Sequence, residues 1–255
     1  MDMTNTVTAF YADLTPFYHL IYPDWEKSME RQANMLNAII REHWGDMVSQ
    51  VLDAACGIGT QCLGLAKLGY QVTASDLSSH EIERAKEEAA ARGLNISFSV
   101  ADMRKVFDHH AAQFDIVIAC DNAVPHLLAD DDILRAFQQF HECTYPGGGC
   151  IITVRDYEAE DTTGQQTKLY GSREEDGITY LLFQAWKFRG EIYDLSMYCV
   201  EDDGGPHCKT HVMRSQYYAI GTTRLIELMT DAGFENVARL DDKFFQPVII
   251  GTRKA

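Results

Sequence analysis

The stretch Val51-Leu52-Asp53-Ala54-Ala55-Cys56-Gly57-Ile58-Gly59-Thr60-Gln61 decides how the chain is read. An apolar run ends in an aspartate, turns through two glycines and enters a segment of helical spacing, which is the opening of a β-α-β unit. Downstream, a helix over about 60–68 leads to the strand Gln71-Val72-Thr73-Ala74-Ser75-Asp76. An amphipathic helix over 79–92 stops at Gly93, and 96–100 alternates as a strand. Phe114-Asp115-Ile116-Val117-Ile118-Ala119-Cys120 is a continuous apolar run, the pattern of a strand buried on both faces. Residues 129–144 read as a helix with an acidic start, and Gly147-Gly148-Gly149 as a turn into a strand over 150–154. The segment 101–113 is too short and polar to read as a helix. This alternation predicts an α/β fold, a doubly wound, mostly parallel sheet with helices on both faces.

The flanks complete the organisation. Residues 10–44 read as helix, with a fresh start at Asp24-Trp25-Glu26 behind Pro23 and apolar residues at Met29, Ala33, Leu36, Ile39 and Ile40. Residues 165–220 are rich in Tyr, Phe and Thr and broken at Asp176-Gly177, Arg189-Gly190 and Asp202-Asp203-Gly204-Gly205. They read as an antiparallel meander inserted into the α/β unit. A helix over 222–232 ends at Gly233, and 243–252 is a last strand. The expectation is one domain: a helical lid over 1–45, a ligand-binding core over 46–160, a covering meander over 161–220, and the closing helix and strand over 221–255.

With 22 Lys+Arg against 38 Asp+Glu, the chain of 255 residues carries a formal net charge of −16. That balance repels polyanions, so nucleic acid is not an expected partner. No apolar run approaches the roughly 20 residues that span a bilayer. The seven cysteines are scattered without a C-x-x-C pair, and Met1 to Phe10 lacks the pattern of a secretory leader. Free thiols and a cytoplasmic location are expected. Cys199, His207, Cys208 and His211 have no zinc-type spacing, and no metal is expected.

Two ligands suit a glycine turn followed nineteen residues after Gly57 by Asp76, an acid placed for ribose hydroxyls. A dinucleotide would set its diphosphate over the turn, where Asp53 repels it, and Cys62 stands where its third glycine is expected. S-adenosylmethionine has no phosphate, and its ammonium and sulfonium favour a nearby carboxylate. The motifs Leu52 to Gln61, Ser75-Asp76-Leu77-Ser78, Ala101-Asp102-Met103 and Phe114 to Cys120 together resemble the Rossmann-like core of class I S-adenosylmethionine-dependent methyltransferases. The resemblance implies that Asp53, Ala55, Gly57, Gly59 and Gln61 surround the methionine moiety and that Asp76 binds the ribose. It also implies that Leu77 and Met103 sandwich the adenine, that Asp102 accepts from its amino group, and that Cys120 lines the wall by the sulfonium.

Within that class the chain is most similar to small-molecule enzymes of the glycine N-methyltransferase type. The similarity rests on Cys120-Asp121-Asn122-Ala123-Val124-Pro125-His126-Leu127, on Val154-Arg155-Asp156-Tyr157 and on the meander. It implies that Asn122 and Arg155 hold an acceptor carboxylate. Asp121 stands where that pattern has glycine, and Asp156 where it has asparagine. The aromatic segment Phe10 to Tyr22 resembles a lid, with Tyr11, Tyr18, Tyr22 and Arg31 as candidates for cofactor or acceptor contact. His126 and Asp121 are candidates for setting the acceptor's protonation, and Arg155 is alternatively a structural partner of Asp156 or Asp121. Of the meander residues Tyr170, Tyr180, Trp186, Tyr193, Tyr198 and Arg214, strand alternation sends about half to the pocket side. The expected activity is methyl transfer to a small polar acceptor, an amine or amino acid nitrogen first. An oxygen or sulfur acceptor and a nicotinamide-dependent oxidoreductase are the alternatives.

Overall fold

In a computed structural model, which describes the backbone of residues 3–255 and side chains from Thr6 onward, two sheets carry the chain. Met1 and Asp2 of the opening segment lie outside the described residues. Seven strands form the larger sheet: β1 (Gln50–Asp53), β2 (Gln71–Asp76), β3 (Ser97–Val100), β4 (Phe114–Ala119), β5 (Thr144–Thr153), β10 (Glu235–Leu240) and β11 (Val248–Thr252). Their order is β10-β11-β5-β4-β1-β2-β3, parallel except that β11 runs antiparallel between β5 and β10. Helices α2 (Trp25–Trp44), α3 (Thr60–Lys67) and α4 (Ser79–Ala91) cover one face; α6 (Asp130–Cys143) and α7 (Thr222–Asp231) cover the other.

Alternation along each strand feeds these two layers. Val51, Ile116, Ile118 and Ile151 pack with α2 and α3, while Leu52, Val117 and Ile152 pack with α6 and α7. Helix α2 begins where expected: Asp24 caps it by accepting from the Lys27 N–H at 3.0 Å. Its stripe of Met29, Ala33, Leu36, Ile39 and Ile40 is buried. Helix α3 lies against α2 so closely that a Cβ on Gly64 would stand 2.6 Å from the Ala33 Cβ.

The other sheet is the meander β6 (Gln165–Glu175), β7 (Ile178–Arg189), β8 (Ile192–Asp202) and β9 (Lys209–Tyr218), paired antiparallel in sequence order. Its inner face shares a core with Phe10, Leu14 and Leu20 from the N-terminal segment. Arg173 on β6 fastens that segment, donating to the Tyr22 carbonyl at 2.9 Å.

Four local expectations change. Helix α1 (Met3–Leu14) starts before residue 10, and Thr15–Ile21 is a 3-10 helix, so 10–44 is not one continuous run. The segment 101–113 does contain a short helix, α5 (Val106–His110), after a 3-10 turn. The glycines 147–149 lie inside β5 rather than before it. A Cβ on Gly149 would meet the Trp44 ring at 2.1 Å, and one on Gly148 the Asp115 carbonyl at 2.4 Å, so close packing requires glycine at these two positions, whereas Gly147 has open space and a φ of +82°. Finally, 233–243 hides strand β10, whose polar, half-buried residues gave no apolar run.

Gly64→Ala should lower stability by about 1–3 kcal/mol through overpacking at the α2–α3 contact. Urea denaturation measures it, and an unchanged midpoint would show that the two helices can separate freely.

Candidate active site

The carboxyl ends of β1, β2 and β4 open on one cavity. Strand β1 delivers Asp53, and the chain then turns through Gly57 (φ +53°) and Gly59 (φ +105°), left-handed conformations in which a side chain is strained. Gly59 caps α3, while Gly57 lies on the cavity wall. Asp76 at the end of β2 holds the turn in shape. Its Oδ2 accepts from the Gly57 N–H at 3.0 Å and its Oδ1 from the Ser78 N–H at 2.9 Å.

Acid dominates this cavity. Asp76, Glu81, Asp102, Asp121 and Asp132 line it against one guanidinium, that of Arg104. Arg104 is itself bound, donating to Asp102 Oδ2 at 2.6 Å and Asp132 Oδ2 at 3.0 Å. Behind the turn Asp53 is fully buried; its Oδ1 accepts from the Ala55 N–H at 3.4 Å, and its Oδ2 has no partner among the described residues. Burial pushes the Asp53 carboxyl up to about 7. Burial likewise raises the carboxyls of Asp76 and Asp121. A cavity so furnished suits a cation and repels a diphosphate.

Beside it lies a smaller cavity that shares Tyr11, Tyr18 and Asp121 with the first. Asn122, Arg155, Tyr170 and Tyr217 complete its polar lining with Gln184. Asp121 and Asn122 both adopt positive φ, +56° and +66°, conformations that Asp and Asn tolerate better than most. This bend brings Asp121 Oδ2 to the Tyr22 hydroxyl, which donates at 2.6 Å, and Oδ1 to the Gln246 amide at 3.3 Å. The Asn122 carboxamide accepts from the Arg155 N–H at 3.0 Å and donates to the Tyr157 hydroxyl at 2.9 Å. Its contacts hold the Arg155 backbone.

The Arg155 guanidinium makes no ion pair among the described residues. It lies 4.4 Å from the centre of the Trp186 ring and donates to the Tyr193 hydroxyl at 3.4 Å. The alternative pairing with Asp156 is not formed, because Arg239 Nη2 takes the Asp156 carboxylate at 2.6 Å.

Most expected residues converge here. Ala55, Gly57, Gln61, Asp76, Leu77, Asp102, Met103 and Cys120 line the larger cavity with Tyr11, Tyr18, Asp121 and His126. Asp53 and Gly59 lie behind the wall and Tyr22 reaches it only through Asp121, while two arginines are turned away altogether. Arg31 is exposed on α2, where the 100° step per residue turns Gln32 inward instead; Gln32 Oε1 accepts from Gln61 Nε2 at 2.7 Å. Arg214 is exposed on the outer face of β9, since alternation gives the inner face to Met213, Ser215 and Tyr217. Tyr198 also faces outward, stacked on Phe183 at 4.7 Å. Tyr170 turns into the smaller cavity at a bulge made possible by Gly171.

His126 needs a different reading from the proton acceptor expected of it. Its Nε2 is 2.7 Å from the Tyr11 hydroxyl, and burial lowers its pKa to about 3. At neutral pH it is an uncharged partner that orients Tyr11. Tyr217, with Tyr218 the expected start of a roof over the acceptor, lines the smaller cavity; the residues missed in the sequence are Arg104, Arg173 and Gln246, whose partners include residues distant along the chain, and Glu81, which has the pattern of a helix cap.

Residues 51–148 match the family model for a methyltransferase domain, whose methyl donor is S-adenosylmethionine. Over 223 residues it is 24% identical to a glycine/sarcosine N-methyltransferase of Aphanothece halophytica, covering 86% of this chain and 77% of that one. The fold is shared with Streptomyces venezuelae DesVI (TM-score 0.82, 18% identity, 93% of this chain and 97% of that one). It is shared also with the sugar N-methyltransferase KedS8 of a Streptoalloteichus species (TM-score 0.77, 18% identity, 93% of both chains). The orphaned Asp53 oxygen, the side-chain-free turn at Gly57 and the surplus of acid fit the cationic cofactor.

A carboxyl raised from 3.8 to about 7 stabilises the fold only while protonated, so its contribution falls as pH climbs between those values. Asp53→Asn should therefore make the ligand-free protein more stable at pH 8, by on the order of a few kcal/mol, and flatten its stability from pH 5 to 8. The same variant should bind S-adenosylmethionine more weakly. Denaturation at both pH values with a binding titration checks this; a variant less stable than wild type at pH 8 contradicts it.

Proposed function

We propose that the chain transfers the methyl group to the nitrogen of a small amine that also carries a carboxylate, an amino acid or close derivative. The observation that carries this reading is the Arg155 guanidinium, half-buried among Trp186 and the phenols of Tyr157, Tyr170, Tyr193 and Tyr217 with no acid in a salt bridge to it among the described residues. A cation held this way offers its planar fork to an incoming carboxylate. The likeness to a glycine/sarcosine N-methyltransferase agrees with that chemistry.

S-Adenosylmethionine supplies an activated methyl group on a sulfonium, and the residues of the larger cavity are those proposed to bind it. Asp76 faces the ribose, Leu77, Asp102 and Met103 the adenine, and the Gly57 turn, with Asp53 buried behind it, the methionine end. Tyr11 and Tyr18, on the wall between the two cavities, turn aromatic faces toward positive charge and exclude water. An amine must be uncharged to act as nucleophile. Asp121, with its affinity for a proton raised by burial, accepts one from the acceptor ammonium while the Tyr22 hydroxyl and Gln246 amide keep its carboxyl in place. The whole acts as one methyltransferase unit with 1–45 as lid and 161–220 as acceptor cover, in the cytoplasm, where unpaired thiols such as its seven free cysteines persist.

Arg155→Ala should raise KM for carboxylate-bearing amines roughly ten- to hundred-fold, the worth of a charge-assisted hydrogen bond, and leave amines without a carboxylate nearly unchanged. S-Adenosylhomocysteine release across paired acceptors measures it. Equal losses for both kinds of acceptor would reject the carboxylate assignment.

A further inference from the structure

Glu81 sits in the first turn of α4, only 1% exposed, and lines the larger cavity. A Cβ on Gly57 would stand 3.6 Å from Glu81 Oε2, so the carboxyl faces the bare backbone of the turn. Ser78-x-x-Glu81 has the pattern of a capping box, in which the glutamate would accept from the Ser78 N–H. Only half of that box forms. The Glu81 N–H donates to Ser78 Oγ at 3.4 Å, but the Ser78 N–H is taken by Asp76 Oδ1 at 2.9 Å. The Glu81 carboxyl is left aimed at the cavity, and its Oε1 has no hydrogen-bond partner among the described residues.

The charged and titratable groups acting on it are Asp76 from the end of β2, Tyr11 from α1 and Tyr18 from the 3-10 helix. None is a cation. A buried carboxyl beside another acid is held protonated, and burial first, then Asp76, raise Glu81 well above the ordinary range. The turn at Gly57 is the part of the cavity assigned above to the methionine end of the cofactor. Resting on that assignment, we propose that Glu81 is a binding residue for the cationic methionine half of S-adenosylmethionine, ionising as the ligand enters. The carboxyl O–H bond breaks, its electron pair stays on the carboxylate, and the proton leaves to bulk solvent.

The test is calorimetric titration of the full chain with S-adenosylmethionine at about pH 7, in two buffers of different ionisation enthalpy. The wild type should release protons on binding, and Glu81→Gln should release about one fewer and bind roughly ten- to hundred-fold more weakly. Asp53→Asn should still release the Glu81 proton. S-Adenosylhomocysteine keeps the ammonium and lacks the sulfonium: equal weakening of both ligands identifies the ammonium as the partner, and weakening of S-adenosylmethionine alone identifies the sulfonium. Because Gln is nearly isosteric and removes a buried acid, ligand-free Glu81→Gln should melt no lower than wild type, which separates lost binding from lost folding. An unchanged affinity, an unchanged proton count in that variant, or no proton release by the wild type overturns the proposal. Failure of the wild type to bind S-adenosylmethionine at all would instead overturn the assignment on which it rests.

Discussion

The site depends on the carboxylate of Asp76 and the two backbone N–H groups it gathers. By accepting from Gly57 in one loop and Ser78 in the next, it joins the turn after β1 to the start of α4. Buried Cys56 and Ile58, the Cys56 N–H to Ser75 carbonyl bond at 3.0 Å and the tight bend at Gly59 also hold the turn, but among the described residues only Asp76 links Gly57 to the start of α4 by hydrogen bonds. The same bridge has a second effect. It occupies the Ser78 N–H that a capping glutamate would use, and so frees the Glu81 carboxyl. One side chain thereby fixes the shape of the turn and the charge facing it.

That charge has a cost in the ligand-free molecule. Buried carboxyls are tolerated when paired or protonated, and here Asp53 and Glu81 each keep an oxygen without a partner among the described residues. Asp102 is different: Arg104 grips it, and its pKa falls. The two ends of the cavity are therefore unlike, with a salt-bridged, partly exposed acid beside Met103 and buried, proton-holding acids near the glycine turn. Such asymmetry favours a ligand whose positive charge is confined to one end. S-Adenosylmethionine is built that way, and a dinucleotide, with its charge at mid-length and of the opposite sign, is not.

Much of this was legible in the sequence because it follows from local periodicity. The apolar run from Phe114 to Ala119 gave a strand buried on both faces, and the stripe on α2 gave its buried side. The acids at strand ends were visible as punctuation to apolar runs. What was not legible depended on partners far along the chain. Strand β10 is polar because it lies at the sheet edge, paired only with β11. The glycines of β5 looked like a turn because the Trp44 ring that excludes side chains there is distant in sequence. Arg31 and Arg214 were each one position from an inward-facing residue, and side-chain direction cannot be read from residue type. Glu81 is a local exception: its spacing from Ser78 is that of a helix cap, and only the competing bond from the Ser78 N–H to nearby Asp76 shows otherwise.

The smaller cavity is built by a different logic from the larger one. Its walls come from α1, the 3-10 helix, the loops after β4 and β5, and the meander, segments that meet only in the folded chain. Tyr11 to His126, Tyr22 to Asp121 and Arg173 to the Tyr22 carbonyl link the N-terminal segment to both the core and the cover. Packing of this segment over Asp121 has two opposed effects on its carboxyl: burial raises its affinity for a proton, and the bond donated by Tyr22 lowers it. Burial is the larger, so the segment that covers Asp121 also sets its readiness to hold a proton.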